Sequence, residues 1–527
     1  MKKSVLTILL GVMFTVFQAS GCANEANAEK RVVVKKNKIT SIDLSAIIAV
    51  PFTISEDNRR VAYYAEKGNR GVVVVDGVEG PSYDGIGSGT LMFSPDSKRV
   101  LYFAGKDGKQ FVVIDGVEGT AYDGLSSLPI FIPDSKRVLY VAGKDGKQFV
   151  VIDGVEGTAY DGLSSLPIFS PDSKKVLYVA KKGDKWVVVI DGVEVIAYDG
   201  AGNLIFSPDS KRVLYVTKKG NKQLVVVDGV KGTAYDGIGS GTLIFSPDSK
   251  RVGYAAVKNG KRVIVVNGVE GTAYDDIGSG TLMFSPDSKR VLYVAHKGDK
   301  WVVVTDGVEG TAYDGIIISY FSPDGRRVVY TAQKGDKRVV VVDGVEGTAY
   351  DDIDNPSISS DNKRVGYFAK RGDKWTVVID GDEGSRFDDI GRDTLNFSPD
   401  SRRVVYGKQK GGKHLVVVDG VEGTAYDGIG RGTLSFSPDS RRVVYTAQKG
   451  DKWVVVVDGL EYPAYNGILS GSKVLFDSSN QLHYLAASMD KDIAMQEINY
   501  GTHAYITTGT DNRRYLDIYL VEESSGK

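Results

Sequence analysis

The residues that could do chemistry in this chain are few, and their spacing argues against a catalytic site. No Gly-x-Ser-x-Gly sequence follows a predicted strand, so a hydrolase nucleophile is not expected. Gly87-Ser88-Gly89 lacks the lysine and the helix of a phosphate-binding loop. The histidines do not have the spacing of metal ligands; they are His296, His414, His483 and His503. We therefore expect no catalytic residues, no metal and no cofactor.

Aspartate recurs throughout the chain in Ser-Pro-Asp and Asp-Gly sequences, and a series of carboxylates could hold calcium. Turn formation explains the same residues more simply, because Asp and Gly stabilise tight turns. The chain has 66 Lys and Arg residues against 67 Asp and Glu, a formal charge of -1. A sequence-independent nucleic-acid binder needs a surplus of cations, so no nucleic-acid partner is expected.

Cys22 is the only cysteine and follows an export-like leader. Lys2 and Lys3 precede an apolar stretch over 5–17, which is too short for a comfortable membrane span. The sequence Ala19-Ser20-Gly21-Cys22 resembles a bacterial lipobox. The resemblance implies a signal peptide over 1–21, lipidation of Cys22 and a tether over 22–30. The alternative is an ordinary signal peptide cleaved further on, with Cys22 discarded.

Self-comparison reveals a repeat of 37 to 40 residues. Its first marker, Ser-Pro-Asp, begins at Ser94, Ser170, Ser207, Ser246, Ser285, Ser322, Ser398 and Ser437, with degenerate copies at Ser55, Ile132, Ser359 and Asp477. The second, Asp-Gly, occurs in constant phase with the first. The twelve copies indicate a single structural unit repeated along the chain.

One unit predicts four short strands. Residues 281–284, 290–295, 301–305 and 311–313 are rich in β-branched and aromatic residues and are separated by turn sequences. No 3.6-residue period is present, so helix is not expected. Four antiparallel strands repeated radially describe an all-β protein of the β-propeller class.

The sequence from Phe284 to Tyr293, Phe-Ser-Pro-Asp-Ser-Lys-Arg-Val-Leu-Tyr, resembles the core of the WD40-like (PD40, TolB-type) repeat. The likeness extends over nearly the whole chain after residue 30. The Gly-His dipeptide of WD40 units is absent, which makes the TolB-type group the nearer one. The resemblance implies a propeller that mediates protein contacts.

The chain ends predict how the propeller closes. Residues 32–43 align with strands three and four of a unit, and residues 475–486 with strands one and two. Eleven whole units and one split unit give twelve four-stranded blades. Because propellers usually have about four to eight blades, we favour two tandem six-bladed rings, over 31–259 and 260–498, with a tail over 499–527. A five-plus-seven division and one very large ring are the alternatives.

One position varies among otherwise similar units, five residues before the Asp-Gly aspartate. All four tryptophans lie there, and Trp, Arg and His commonly contact sugars or protein partners. The candidate ligand-contact ring is Trp186, Arg262, Trp301, Arg338, Trp375, His414 and Trp453. The alternative is that these side chains cover a blade edge and vary without a ligand.

These features predict a non-enzymatic lipoprotein that uses a propeller as a protein- or glycan-binding scaffold. The predicted location is the cell envelope, with a lipid anchor in the outer membrane, facing the periplasm or the cell surface. The alternative functions are a propeller enzyme of lyase or phosphatase type with a central-channel site, and a purely structural protein.

Overall fold

In the computed structural model the protein is built from β-strands. The structure describes residues 32–43, 52–164, 166–391, 393–468, 474–478, 481–489 and 515–525. Within these ranges every regular element is a strand, which agrees with the absence of a helical period. No helix in the described part of the chain is long and apolar enough to cross a membrane.

Each repeat forms one antiparallel sheet, here called a blade. Blade 7 contains Asp276–Ile277 with Met283–Phe284, then Val291–Lys297, Lys300–Thr305 and Val308–Tyr313. The two short segments pair in turn with the second strand and together act as the first strand. The four predicted strands are therefore present, and the fourth begins three residues earlier than expected.

The second and third strands form the central pair of every blade. In blades 1 to 12 the second strands are Val61–Lys67, Val100–Lys106, Val138–Lys144, Val176–Lys182, Val213–Lys219, Val252–Lys258, Val291–Lys297, Val328–Lys334, Val365–Arg371, Val404–Lys410, Val443–Lys449 and Gln481–Met489. The third strands are Arg70–Val75, Lys109–Ile114, Lys147–Ile152, Lys185–Ile190, Lys222–Val227, Lys261–Val266, Lys300–Thr305, Lys337–Val342, Lys374–Ile379, Lys413–Val418, Lys452–Val457 and Tyr515–Ser525.

The first and fourth strands flank this pair on its two sides. The first strands consist of Phe52–Ile54, Gly85–Ile86 with Met92–Phe93, Gly124–Leu125 with Ile130–Phe131, Gly162–Leu163 with Ile168–Phe169, Gly200–Phe206, Gly237–Ile238 with Ile244–Phe245, the blade 7 pair, Gly315–Phe321, Asp352–Ile353 with Ser357–Ile358, Asp389–Ile390 with Asn396–Phe397, Gly428–Ile429 with Ser435–Phe436, and Gly467–Ile468 with Leu475–Ser478. The fourth strands are Val78–Tyr83, Val117–Glu118, Val155–Glu156, Val193–Tyr198, Val230–Tyr235, Val269–Tyr274, Val308–Tyr313, Val345–Glu346, Asp382–Glu383, Val421–Tyr426, Leu460–Glu461 and Val32–Asp43.

The split blade predicted from the chain ends is present, but its composition differs from the prediction. Residues Val32–Asp43 form one continuous strand rather than strands three and four. This strand pairs with Tyr515–Ser525, which in turn pairs with Gln481–Met489. The tail thus supplies the third strand of blade 12. This strand is covered on both faces, because Ile518 packs toward blade 1 and Val521 toward blade 11 and both are fully buried.

The blades close in one circuit, so the expected pair of six-bladed rings is wrong. Residues 259–260, the expected boundary, form a hairpin turn inside blade 6, where Lys258 pairs with Lys261. Apolar clusters join blade 6 to blade 5 and to blade 7. Further clusters join blade 12 to blade 11 and to blade 1. The all-β class and the twelve four-stranded blades are confirmed.

Apolar side chains between neighbouring sheets form the core. Val302, Val303 and Val304 of blade 7 are almost fully buried, with successive residues facing blades 6 and 8. In ten of the twelve blades a tyrosine at or just after the end of the fourth strand meets a tyrosine of the next blade edge to face; for Tyr274 and Tyr293 the ring centroids are 6.1 Å apart. Such pairs add about 0.5–1.5 kcal/mol beyond their buried area.

Candidate functional site

The repeated Asp-Gly turn binds its own blade and orients an arginine toward the next. In blade 2, Asp115 and Gly116 both have positive φ, as the tight hairpin turn requires. Asp115 Oδ1 accepts the Val100 N–H at 2.8 Å, and Oδ2 accepts the Arg99 Nε–H at 3.0 Å. Arg99 Nη1 then donates to the Lys136 carbonyl of blade 3 at 2.7 Å. The Ser-Pro-Asp and Asp-Gly turns therefore join neighbouring blades.

A second aspartate joins blades at the opposite face, at the link from a fourth strand to the next first strand. Asp123 Oδ1 accepts from Lys109 Nζ at 2.6 Å, and Oδ2 accepts the Asp145 N–H of blade 3 at 3.1 Å. Hydrogen bonding from Lys109, then from the Asp145 N–H, lowers the pKa of the Asp123 carboxyl. Most of the repeated carboxylates are thus engaged in holding the blades together.

The position that varies among units is the second residue of the third strand. It pairs with the aromatic residue that ends the fourth strand, as Trp301 does with Tyr313. It lies next to the turn between strands two and three, on the face opposite the Ser-Pro-Asp and Asp-Gly turns. The backbone therefore places the seven candidate residues at equivalent points around the propeller.

Several side chains at this position contact the first strand of the following blade. Gln223 Oε1 accepts the Ile238 N–H of blade 6 at 2.7 Å. Arg262 instead pairs with Asp276 at 2.8 Å, and Asp276 Oδ1 accepts the Ile277 N–H at 2.8 Å. The same arrangement recurs between blades 8 and 9, where Arg338 pairs with Asp352 and Asp352 Oδ1 accepts the Ile353 N–H. Glutamine and the Arg–Asp pair therefore satisfy the same backbone N–H in different blades.

The aspartates of these pairs are not among the site residues predicted from the sequence. Their signal is present in the sequence at the link between blades. Most units have a second Asp-Gly there, for example Asp236-Gly237, whereas residues 275–276, 351–352 and 388–389 are Asp-Asp. Each of these pairs follows Arg262, Arg338 or Trp375 by a constant interval. An arginine precedes two of the three Asp-Asp links, so the sequence indicates an ion pair at those two links.

The aromatic members differ in exposure. Trp375 is only 7% exposed and packs with Phe368 and Phe387 between blades 9 and 10. Trp301 is half-buried, and its ring lies 4.6 Å from that of His296. Trp186 and Trp453 are also half-buried, as are Arg262, Arg338 and His414. Six of the seven candidates are thus open to contact by a ligand, while Trp375 is largely covered.

The remaining histidine of the described chain, His483, lies where blade 12 meets blade 1. Its side chain is 4% exposed, with Nδ1 at 2.9 Å from Asp477 Oδ2 and Nε2 at 2.7 Å from the Asp57 carbonyl. Within the described ranges no three His, Cys, Asp or Glu side chains are grouped to hold a metal. Cys22, the predicted leader and tether, and His503 lie outside the described residues.

The fold of this chain is a twelve-bladed β-propeller. No protein-family model and no curated protein matches it. Among solved structures, a eukaryotic initiation factor is similar at 15% identity over 60% of this chain and 94% of that one, with a TM-score of 0.33. TolB from Acinetobacter baumannii is similar at 16% identity over 47% and 75%, with a TM-score of 0.22. KlHsv2 with loop 6CD replaced by a Gly-Ser linker is similar at 13% identity over 51% and 96%, with a TM-score of 0.24. At these TM-scores the likenesses carry no argument about function.

Proposed function

We propose that this chain is an exported, non-enzymatic lipoprotein whose propeller is a scaffold for binding a protein or a glycan. The observation that carries the proposal is that the repeated residues and the variable residues have different roles. The repeated charges bind blade to blade, whereas six of the seven candidate residues at the variable position are half-buried and all seven lie on one face. A rigid frame with variable side chains at equivalent points suits recognition better than catalysis.

The half-buried aromatic and cationic side chains favour a partner with planar or polar surfaces. Trp186, Trp301 and Trp453 each combine a large apolar face with an N–H donor, which suits sugar rings and protein anchors. Arg262 and Arg338 form ion pairs with Asp276 and Asp352, so these two side chains have fewer N–H groups available to a partner. We therefore expect the tryptophans to dominate recognition.

Crosslinking in intact cell envelopes, followed by affinity purification through a C-terminal tag, tests the scaffold function. The wild-type chain is expected to retain a specific protein or glycan. A variant with Trp186→Ala, Trp301→Ala and Trp453→Ala is expected to lose at least nine-tenths of it. The matched control replaces Gln110, Gln148 and Gln223 by Ala at the same position. Equal recovery from both variants would contradict the proposed contact site.

The anchor is tested separately by metabolic labelling with palmitate. Incorporation into the wild-type chain and its loss in Cys22→Ala are expected, because only that residue carries a thiol. The membrane partner of this proposal is the outer membrane, reached through the lipid. An unlabelled wild-type chain that fractionates as a free protein would overturn the lipoprotein assignment without affecting the scaffold test.

A further inference from the structure

Blade 3 departs from the repeated turn at one residue. In blade 2, Ser94 Oγ donates to Asp96 Oδ1 at 2.6 Å and holds that carboxylate inside its turn. Blade 3 has Ile132 at the serine position, and an isoleucine has no such donor. The Asp134 carboxylate consequently turns toward Arg137, and Oδ2 lies 3.5 Å from Arg137 Nε.

This change removes Arg137 from the contact that arginines make elsewhere. Arg99 pairs with Asp115 of its own blade and donates to the next blade, as described above. Within the described chain, Arg137 makes neither bond; its guanidinium lies 5.7 Å from the Phe169 ring centroid of blade 4. Its Nη groups are consequently available to a ligand.

Blade 4 departs from the pattern at the matching point. Lys175 stands where most other blades have arginine. Asp191 Oδ1 accepts the Val176 N–H at 2.8 Å, but no cation among the described residues pairs with Oδ2. The interface between blades 3 and 4 therefore contains an underused guanidinium and an underused carboxylate, whereas the Arg99 guanidinium at the interface between blades 2 and 3 makes both of its bonds.

A cavity of about 280 Å³ opens at this interface. Its apolar walls are Val150, Ile152 and Val155 of blade 3 and Phe169, Val176 and Tyr178 of blade 4. Arg137, Lys174, Glu156 and Asp191 also line it, two cations and two anions. The volume lies near the lower end of the range for ligand pockets, about 300–1,000 Å³. It suits a small molecule rather than a polymer.

We propose that this cavity binds a free α-amino acid with an apolar side chain. Arg137 and Lys174 would receive the carboxylate, since a guanidinium forms strong charge-assisted bonds with that group. Asp191 and Glu156 would receive the ammonium group, and the side chain would enter between the apolar walls. The balanced charge of the lining favours a zwitterion over a simple acid or amine. This site is independent of the scaffold function.

Isothermal titration of the full chain with L-phenylalanine tests the proposal, with 3-phenylpropionate and phenethylamine as ligands that lack one charge. Saturable binding of L-phenylalanine is expected, with each single-charge analogue at least tenfold weaker. Absence of saturable binding up to 10 mM, a concentration corresponding to a free energy of only about -3 kcal/mol, would overturn the proposal. Equal affinities for the three ligands would also overturn it.

The irregular residue itself provides the sharpest variant. Ile132→Ser restores the hydroxyl that holds Asp134, frees Arg137 to pair with Asp153, and is expected to weaken binding at least tenfold. Arg137→Gln should do the same, while the matched change Arg99→Gln in blade 2 should leave binding unchanged. Thermal unfolding shows that each variant is folded. A folded Ile132→Ser chain that binds like wild type would exclude this mechanism.

Discussion

Lys408 Nζ lies 2.6 Å from Glu422 Oε1, although the Lys408 side chain is only 2% exposed. Most other blades have a small residue at this point, for example Ala369 and Ala447. In blades 5 to 8 the terminal tyrosine donates to the glutamate of the next blade; Tyr350 does so to Glu383 at 2.8 Å. Blade 9 ends in Phe387, which has no hydroxyl. The Lys408 ammonium, 5.5 Å from the Phe387 ring centroid, takes over the bond to the glutamate.

Removal of the glutamate is therefore expected to be costly in blade 10. Glu422→Ala leaves a buried ammonium without its carboxylate and should destabilise the protein by about 3 kcal/mol. The measurement is the shift in the thermal unfolding midpoint. Glu79→Ala in blade 1 is the matched control, since its lysine partner, Lys67, is 70% exposed. A control that is as destabilised as Glu422→Ala would contradict this account.

Replacing both partners should recover the loss. Lys408→Met keeps the length of the side chain without its charge, and buried ion pairs are often replaced by apolar residues at little cost. The double variant Lys408→Met with Glu422→Ala should therefore unfold within about 1 kcal/mol of wild type. A double variant as unstable as Glu422→Ala alone would show that packing, not the unpaired charge, causes the loss.

The contact between blade 12 and blade 1 closes the propeller and should control the stability of both chain ends. Arg59 donates to Glu522 at 2.8 Å and to Asp477 at 3.0 Å, close to buried His483. Charge-assisted bonds of this kind contribute about 1.5–3 kcal/mol. Arg59→Ala should increase hydrogen exchange in residues 32–43 and 515–525 more than in blade 6, as followed by mass spectrometry.

A surface charge nearby provides the comparison. Lys98 lies 3.7 Å from Asp96, and its side chain is 80% exposed. Exposed pairs contribute about 0–1 kcal/mol, so Lys98→Ala should leave the exchange of both chain ends unchanged. Uniform acceleration throughout the protein in Arg59→Ala would indicate global destabilisation and would contradict a local role at the closure.

Local repetition made the blade predictable, whereas closure depended on distant residues. The turn residues and β-branched runs near Asp306-Gly307 are sufficient to place the strands of blade 7. The pairing of Val32–Asp43 with Tyr515–Ser525 depends on which sheet edges are unoccupied after eleven blades have formed. The number of rings likewise depends on whether residues 259–260 are a boundary or a hairpin turn, and both alternatives have the same local sequence.

The sequence predicted where the candidate contact residues lie in the blades but not how exposed their side chains are. The constant interval to Asp-Gly located Trp301 and Trp375 at equivalent points of their third strands. Their difference in burial comes from neighbours in other blades, among them Phe368 and Phe387 around Trp375. The position of the Arg137 side chain likewise depends on Asp134, which Ile132 leaves without the usual serine hydroxyl in its turn.

This difference in burial predicts different consequences for two tryptophans at one position. Trp375→Ala removes a buried side chain from an interface and should cost about 3–5 kcal/mol. Trp301→Ala, at a half-buried site, should cost clearly less but reduce recovery of the partner in the crosslinking experiment. Thermal unfolding and recovery per folded molecule are measured on the same preparations. Equal loss of stability in both variants would contradict the assigned burial.

Aspartates at the links between blades predict destabilisation by acid. Hydrogen bonding from Lys109 and Lys185 to Asp123 and Asp199, respectively, lowers the pKa of each carboxyl in the folded chain. A carboxylate with a lowered folded pKa stabilises the fold above its unfolded pKa of about 3.9, and this stabilisation is lost as pH falls through the folded value. The temperature of the unfolding midpoint should therefore decrease as the pH falls below about 4.

A variant with Asp123→Asn and Asp199→Asn should show a smaller decrease between pH 5 and pH 2 than wild type. An identical pH profile would show that these links do not contribute to acid sensitivity.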